Sequence, residues 1–222
     1  MDQNVILVET VPLEFDLESL GCRLRIRPGQ TKFMDRLSRL AEEAARVARP
    51  KAVARLCGLT MLDEENVQVG EVTFSSPLLR QKMDGLGRAF PYLASEGTEL
   101  ADWSLSLSSS LEQVFASALR EVAVQQAENL LERTLLERYG IAQVSAMNPG
   151  SLKVWSLEEQ VPLFELLAPL PEKLGVTLLP SLMMRPEYSV SGVFFQTDSK
   201  FYNCQLCPKK ECPSRRTPSL VT

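Results

Sequence analysis

The sequence of 222 residues contains no histidine. This absence excludes Ser-His and Cys-His nucleophile pairs, imidazole metal sites and the imidazole that often ligates haem iron or cobalt. The chain also lacks any apolar run of the roughly 18 residues that a membrane span requires. Its first residues lack the basic start of a secretory signal. We therefore expect a cytoplasmic protein with no membrane partner.

Positive charge is scarce over most of the chain. The formal net charge is −4 and the isoelectric point is about 5.2. Such a charge disfavours binding to the phosphate backbone of nucleic acids, so we expect no nucleic-acid partner. The hydrophobic share of 45% is typical of a folded globular protein and excludes a largely disordered chain.

The last 23 residues differ in composition from the rest. Residues 200–222 carry five basic side chains against one acidic side chain, a net charge of +4, which leaves −8 for residues 1–199. They also hold three of the five cysteines. We therefore predict a single domain over residues 1–199 and a basic, cysteine-rich tail over residues 200–222.

Apolar periodicity predicts both helices and strands. The predicted helices are 31–48, 77–86, 111–139 and 156–167, and the predicted strands are 53–61, 67–74, 89–94, 176–183 and 188–195. The longest helix has an apolar stripe at Leu111, Val114, Phe115, Ala118, Leu119 and Val122. Because helices and strands are mixed without a regular strand-helix-strand rhythm, we predict an α+β fold with a mostly antiparallel, twisted sheet and flanking helices.

Local signals mark several helix ends and one turn. Ser109 with Glu112, and Ser156 with Glu159, have the spacing of capping boxes. Gly140 is a typical residue at the end of a helix. The segment 145–155 contains Asn-Pro-Gly and is predicted to be irregular.

The tail cysteines Cys204, Cys207 and Cys212 form a C-x2-C-x4-C array. This spacing can hold zinc or an iron-sulfur cluster, and the neighbouring lysines favour thiolates. A fourth zinc ligand would have to be Cys22, Cys57, a carboxylate or a group from another chain. Redox-active thiols without a metal, and inert reduced thiols, are the alternatives.

The turn Asn148-Pro149-Gly150-Ser151 precedes a predicted helix. Its backbone N–H groups could bind a carboxylate or a phosphate, although an ordinary connection between helices explains the same pattern. No complete catalytic site is visible, so the residues alone do not decide whether the chain is an enzyme.

Seven short motifs follow one another between Pro149 and Tyr202. They are Pro149-Gly150, Trp155–Gln160, Phe164–Leu167, Leu174–Leu178, Ser181–Pro186, Ser189–Gly192 and Asp198–Tyr202. In this order they resemble the activation domain of cobalamin-dependent methionine synthase and its free-standing relatives. Ordered agreement of this kind is more specific than any single motif.

The resemblance implies an accessory protein that assists reductive reactivation of a separate corrinoid methyltransferase. It implies binding of S-adenosylmethionine in the region of Asn148, Pro149, Gly150, Ser151 and Tyr202, and contact with cobalamin only through the partner protein. The cysteine tail is similar to tails of the free-standing relatives and would bring an electron-transfer centre to the cobalt, with a reductase as the electron donor.

The chain departs from the family at two positions of the ligand loop. Aligned on Pro149-Gly150, Ala146 replaces the arginine that can meet the ligand carboxylate, and Ser151 replaces a tyrosine. We therefore expect weak or no binding of S-adenosylmethionine. The alternative function is a docking module that binds a corrinoid protein without binding this ligand.

Overall fold

The computed structural model describes residues 3–207 and 217–219. The strands in this part of the chain are β1 (Val5–Val8), β2 (Lys51–Arg55), β3 (Cys57–Met61), β4 (Asn66–Val69), β5 (Val72–Ser75), β6 (Arg88–Ser95), β7 (Val144–Met147), β8 (Thr177–Leu178), β9 (Met184–Arg185) and β10 (Ser189–Gln196). The helices are α1 (Leu17–Arg23), α2 (Thr31–Val47), α3 (Pro77–Lys82), α4 (Thr98–Ser106), α5 (Ser110–Tyr139), α6 (Gln160–Leu167) and α7 (Leu170–Leu174).

Eight of these strands form one sheet in which every described pair is antiparallel. The strand order is β1-β2-β6-β3-β4-β5, and β10 pairs with both β6 and β7. Strand β6 is central because β2, β3 and β10 all pair with it. The predicted α+β fold with an antiparallel sheet is confirmed.

The two faces of β6 pack against different helices, as alternation along a strand requires. Phe90, Tyr92 and Ala94 belong to a core that includes side chains of α5. Leu93, on the opposite face, belongs to a second core with α6. The sheet therefore lies between α5 on one side and the α3, α6 and α7 layer on the other.

Helix α5 confirms the predicted long helix, and it ends at Gly140 in the left-handed conformation. Its predicted apolar stripe was wrong at the start, because Leu111 and Val114 are exposed. The buried face continues instead through small residues, including Ala116, Ala123 and Ala127, and then through Leu131 and Leu135. Small side chains let a long helix approach its neighbours closely, and this contact decides which face is buried.

Neither predicted capping box forms. Ser109 and Ser156 make no side-chain cap hydrogen bond. Glu112 instead forms an ion pair with Arg36 of α2, and Glu159 accepts a 3.4 Å hydrogen bond from the backbone N–H of Ser75. The two glutamates therefore contact residues distant in sequence and not the serines that the capping-box spacing predicted.

Six elements lie outside every predicted range, namely α1, α4, α7, β1, β7 and β9. Strand β7 lies in the segment predicted to be irregular, and it is held by pairing with β10. Helix α7 starts just after Pro169 and contains Pro171 in its first turn, where the missing N–H costs nothing. The predicted strand 176–183 is only the short β8, which pairs with β9.

A buried ion pair connects three parts of the fold. Arg120 of α5 donates from Nε to Oε2 of Glu96 at 2.6 Å and from Nη2 to Oε1 at 2.7 Å. The backbone N–H of Tyr188 also donates to Glu96, and the Arg120 guanidinium lies 4.4 Å from the Tyr188 ring centre. Burial raises the pKa of the Glu96 carboxyl, and the Arg120 charge and hydrogen bonds oppose that rise.

Among the residues that the structure describes, none of the helices combines the length and the apolar composition that a bilayer crossing requires.

Candidate functional site

A cleft lies between α5, β10 and the segment that follows β10, and we call it the α5–β10 cleft. Its volume is about 210 Å³. The residues that line it are Glu128, Glu132, Ala146, Asn148, Val190, Phe194, Lys200, Phe201, Tyr202, Asn203 and Cys204. Three of the predicted site residues, Asn148, Tyr202 and Cys204, are therefore brought together here.

Asn148, directly after β7, connects the walls of this cleft. Its Nδ2 donates to the Tyr92 hydroxyl and to the Ser191 carbonyl, both at 2.8 Å. Its Oδ1 accepts from Nδ2 of Asn203 at 2.9 Å. Since the Ser191 carbonyl can only accept, it fixes the orientation of the Asn148 amide. The side chain of Asn148 thus links β6 and β10 to the start of the tail.

The close approach of Asn148 to β10 requires glycine at position 192. A Cβ atom at Gly192 would lie 2.4 Å from the Met147 carbonyl oxygen and 2.5 Å from Nδ2 of Asn148. Both distances are far inside van der Waals contact. Any larger residue must therefore displace β7 or the Asn148 side chain.

We expect Gly192→Ala to lower the free energy of unfolding by about 1–3 kcal/mol because it overpacks this contact. Urea denaturation measures the loss. Gly58→Ala is the matched control, since it also lies in a strand but has no atom within 4 Å of an added Cβ. Equal stability of the two variants would contradict the account.

The cleft walls carry two carboxylates and one ammonium group. Lys200 forms an ion pair with Glu132, and the Tyr92 hydroxyl donates to Oε1 of Glu128 at 2.7 Å. The Tyr92 ring stacks on Phe194 with 3.9 Å between the ring centres. Glu128 and Glu132 are four residues apart on α5 and therefore share one face.

The first tail residues are built into the fold. Phe201 is buried, and its backbone N–H donates to Oγ of Ser145 at 2.7 Å. A tight turn follows at Asn203–Gln205. The Cys207 N–H lies 3.4 Å from the Cys204 carbonyl across this turn, and Oγ of Ser219 donates to the Cys207 carbonyl at 3.2 Å. The division at residue 199 stays a prediction.

Pro149, Gly150 and Ser151 are not among the residues that line the cleft. They form a turn in which the Gly150 N–H donates to the Trp155 carbonyl at 2.9 Å, and Gly150 has a φ of +76°. The Leu157 side chain packs against Gly150. Their role in binding a cofactor stays a prediction.

Ala146 lies in the cleft wall and pairs with Phe194 across β7 and β10. At this position the resemblance would place an arginine. The wall here is therefore uncharged.

Several residues that line the cleft were not predicted as site residues, including Glu128, Glu132 and Asn203. The four-residue spacing of the two glutamates was the available signal, but it is equally typical of a solvated helix face. The ion pair of Glu132 joins residues 68 apart in sequence. Sequence patterns along one element cannot reveal such a contact.

The metal site predicted at Cys204, Cys207 and Cys212 is only partly described, because Cys212 lies outside the described residues. The described part of the chain contains no group of three or more acidic or cysteine side chains arranged to hold a metal. The metal therefore stays a prediction.

The two upstream cysteines, which were candidates for a fourth ligand, differ in their surroundings. Cys22 is exposed, whereas Cys57 is buried in the core on β3. Burial raises the pKa of the Cys57 thiol to about 11. A metal binds the thiolate, and burial opposes the loss of the Cys57 thiol proton.

The comparisons with known proteins bear on the fold. No protein-family model and no curated protein matches the sequence. Among solved structures, the chain is similar to the crystal structure of the MetH reactivation domain bound to AdoHcy, with a TM-score of 0.60 and 17% identity. The match covers 89% of this chain and 80% of that chain. The two proteins share a fold.

This similarity confirms the fold that the motifs from Pro149 to Tyr202 led us to expect. At 17% identity it shows the fold alone. The AdoHcy in that crystal structure is a property of the MetH reactivation domain.

Proposed function

We propose that this chain is an accessory protein that assists reductive reactivation of a separate corrinoid methyltransferase. The shared fold supports the proposal, as do the ordered motifs from Pro149 to Tyr202. In this proposal the cobalamin belongs to the partner, and a reductase supplies the electrons. The chain positions reacting groups while the cofactor carries the chemistry.

The observation that carries the proposal is the junction between the cleft and the cysteine tail. Tyr202 and Cys204 line the α5–β10 cleft together with Glu128 and Glu132 of α5. Asn203, between them, is hydrogen-bonded to Asn148. The first tail cysteine therefore lies at the α5–β10 cleft.

The described tail residues fit the start of a metal-binding turn. Cys204 lies in the tight turn Asn203–Gln205 and Cys207 follows two residues after it. A C-x2-C pair on a tight turn can hold one metal. We propose that Cys212 is the third ligand. An iron-sulfur cluster bound there would supply one-electron transfer, whereas zinc would only hold the tail together.

One experiment separates this proposal from the docking-module alternative. The protein is purified anaerobically, its metal content is measured and its visible spectrum is recorded. An iron-sulfur cluster gives stoichiometric iron and absorbs visible light. A docking module gives neither, and that result would favour the alternative.

The alternative gains support from the cleft itself. Both polar atoms of the Asn148 side chain, Nδ2 and Oδ1, are already hydrogen-bonded within the fold. Ala146 has no charge with which to bind a ligand carboxylate. Such a cleft suits a protein that kept its docking surface and lost the ligand.

We expect S-adenosylmethionine to bind weakly or not at all. The missing charged hydrogen bond at Ala146 costs about 1.5–3 kcal/mol, which is about tenfold or more in affinity. Titration calorimetry measures the dissociation constant. An Ala146→Arg/Ser151→Tyr variant tests the reason, because it should bind more tightly than the parent. Micromolar or tighter binding by the parent would contradict the expectation.

A further inference from the structure

A second cavity lies beside the buried Arg120, and we call it the α4–β9 cavity. Its volume is about 400 Å³, which is within the usual range for small-molecule sites. Its lining includes Asp102 and Leu105 of α4, Arg120 of α5, Arg185 of β9, and Pro186 and Glu187 after β9. It shares no lining residue with the α5–β10 cleft. The two are therefore separate candidate sites.

Arg120 has one edge of its guanidinium group left for this cavity. Its Nε and Nη2 donate to the buried carboxylate of Glu96, and only 10% of the Arg120 side chain is exposed. Its Nη1 makes no hydrogen bond to any residue that the structure describes, because Oε2 of Glu187 lies 3.8 Å away. Nη1 carries N–H donors, and Glu96 holds the group in place. Arg120 is therefore a fixed donor for a ligand in the cavity.

Arg185 and Asp102 add one charge of each sign to the same lining. Both side chains are exposed, and neither forms an ion pair with any residue in the described part of the chain. They are therefore not in contact with each other. Glu187 is a second exposed carboxylate. Unpaired charges of both signs on one lining can each bind an opposite charge of a ligand.

The lining also has an apolar part. Leu105 is 78% exposed, the largest exposed fraction among the large apolar side chains that the structure describes as exposed. It lines the cavity together with Pro186. An apolar ligand group that packs on Leu105 would remove apolar surface from water, which favours binding.

We propose that the α4–β9 cavity binds a free α-amino acid with an apolar side chain. Its carboxylate accepts hydrogen bonds from Arg185 and from Nη1 of Arg120. Its ammonium group contacts Asp102 and Glu187, and its side chain packs on Leu105. A ligand with one charge would satisfy only half of these groups. The inference goes beyond the proposed reactivation role and does not depend on it.

Three probes that share one branched carbon chain test the proposal. L-Leucine carries both charges, 4-methylpentanoate lacks the ammonium group, and 3-methylbutylamine lacks the carboxylate. Ligand-observed NMR titration of the full-length protein at neutral pH measures each dissociation constant. We expect about 1 mM or tighter for leucine. Each analogue should bind about tenfold or more weakly, because each loses its charged hydrogen bonds.

Two variants assign the charges. Arg185→Gln should remove most of the preference for leucine over 3-methylbutylamine, because the carboxylate then loses a partner. Asp102→Asn should instead reduce the preference for leucine over 4-methylpentanoate. Arg133→Gln and Glu137→Gln are the matched controls, because these exposed side chains of α5 do not line the cavity. They should leave both preferences unchanged.

Urea denaturation checks that each variant is folded, and the comparison of the three probes on the parent stands without any variant. L-Methionine and L-phenylalanine extend the test to other apolar side chains. If none of the three amino acids shows saturable binding up to about 10 mM, the inference is wrong. Equal binding of leucine and either analogue would also overturn it, as would equal effects of Arg185→Gln and Arg133→Gln.

Discussion

Replacing Arg120 with alanine should lower the free energy of unfolding by about 3–5 kcal/mol at neutral pH, because Glu96 would remain buried without its partner. The Glu96 carboxylate is fully buried and accepts two hydrogen bonds from Arg120. Urea denaturation followed by the fluorescence of buried Trp155 measures the change. Asp84→Ala is the control, because it removes an exposed ion pair with Arg80 that should contribute less than about 1 kcal/mol.

The loss should depend on pH in a defined direction. Without Arg120, the burial of Glu96 is opposed only by the hydrogen bond from the Tyr188 N–H, so the pKa of Glu96 rises further above its unfolded value of about 4.3. A raised carboxyl pKa in the folded state penalises folding as pH rises through it. The deficit of Arg120→Ala should therefore be largest near pH 7 to 8 and smaller near pH 5. A deficit that is equal at both pH values, or below about 1 kcal/mol, would contradict the role given to this pair.

The sequence predicted the fold best where one periodicity persisted. Helix α2 keeps one apolar stripe along its length and was found at its predicted range. Helix α5 and strand β6 were also found close to their predicted ranges, although the α5 stripe was wrong at its start. Strand β7 has only four residues, and its pairing with β10 defines it. No local pattern carries that information.

Helix caps show the same limit in a different form. The spacing of Ser109 and Glu112 is that of a capping box, yet Glu112 pairs with Arg36 on another helix. An ion pair to a distant residue competed with a local hydrogen bond, and the sequence offers no measure of that competition.

The candidate site was only partly predictable. Cysteine spacing identified Cys204, and the family resemblance identified Asn148 and Tyr202, because these signals are local. Only the folded chain brings the carboxylates of α5 to the cleft. The same is true of the hydrogen bond between Asn203 and Asn148, which are 55 residues apart in sequence. The need for glycine at position 192, which makes room for Asn148, becomes visible only when a Cβ atom is placed on the folded backbone.

Converting Cys204, Cys207 and Cys212 to serine should remove any bound metal completely, because these three thiolates are the proposed ligands and a chain without histidine offers no imidazole to replace them. The body should remain folded, since its cores lie almost entirely upstream of the tail. Metal analysis of anaerobically purified parent and variant measures the first effect, and urea denaturation measures the second.

Cys22→Ser is the matched control for the triple variant, because Cys22 is an exposed cysteine outside the tail and an iron-sulfur cluster held by the three tail thiolates needs no fourth cysteine. It should leave the metal content unchanged. If the parent itself contains no stoichiometric metal, or the triple variant retains it, the tail is not a metal site.

The most direct test of the reactivation role is the rate at which cob(II)alamin disappears from a cobalamin-binding domain of methionine synthase. The visible absorbance is followed anaerobically with a low-potential reductant that supplies the electron, with and without this protein. The account predicts that the parent accelerates the decay and that the triple serine variant does not. If the parent gives no acceleration, or the triple serine variant accelerates the decay as well as the parent, the proposed role of the cysteine tail in reactivation is contradicted.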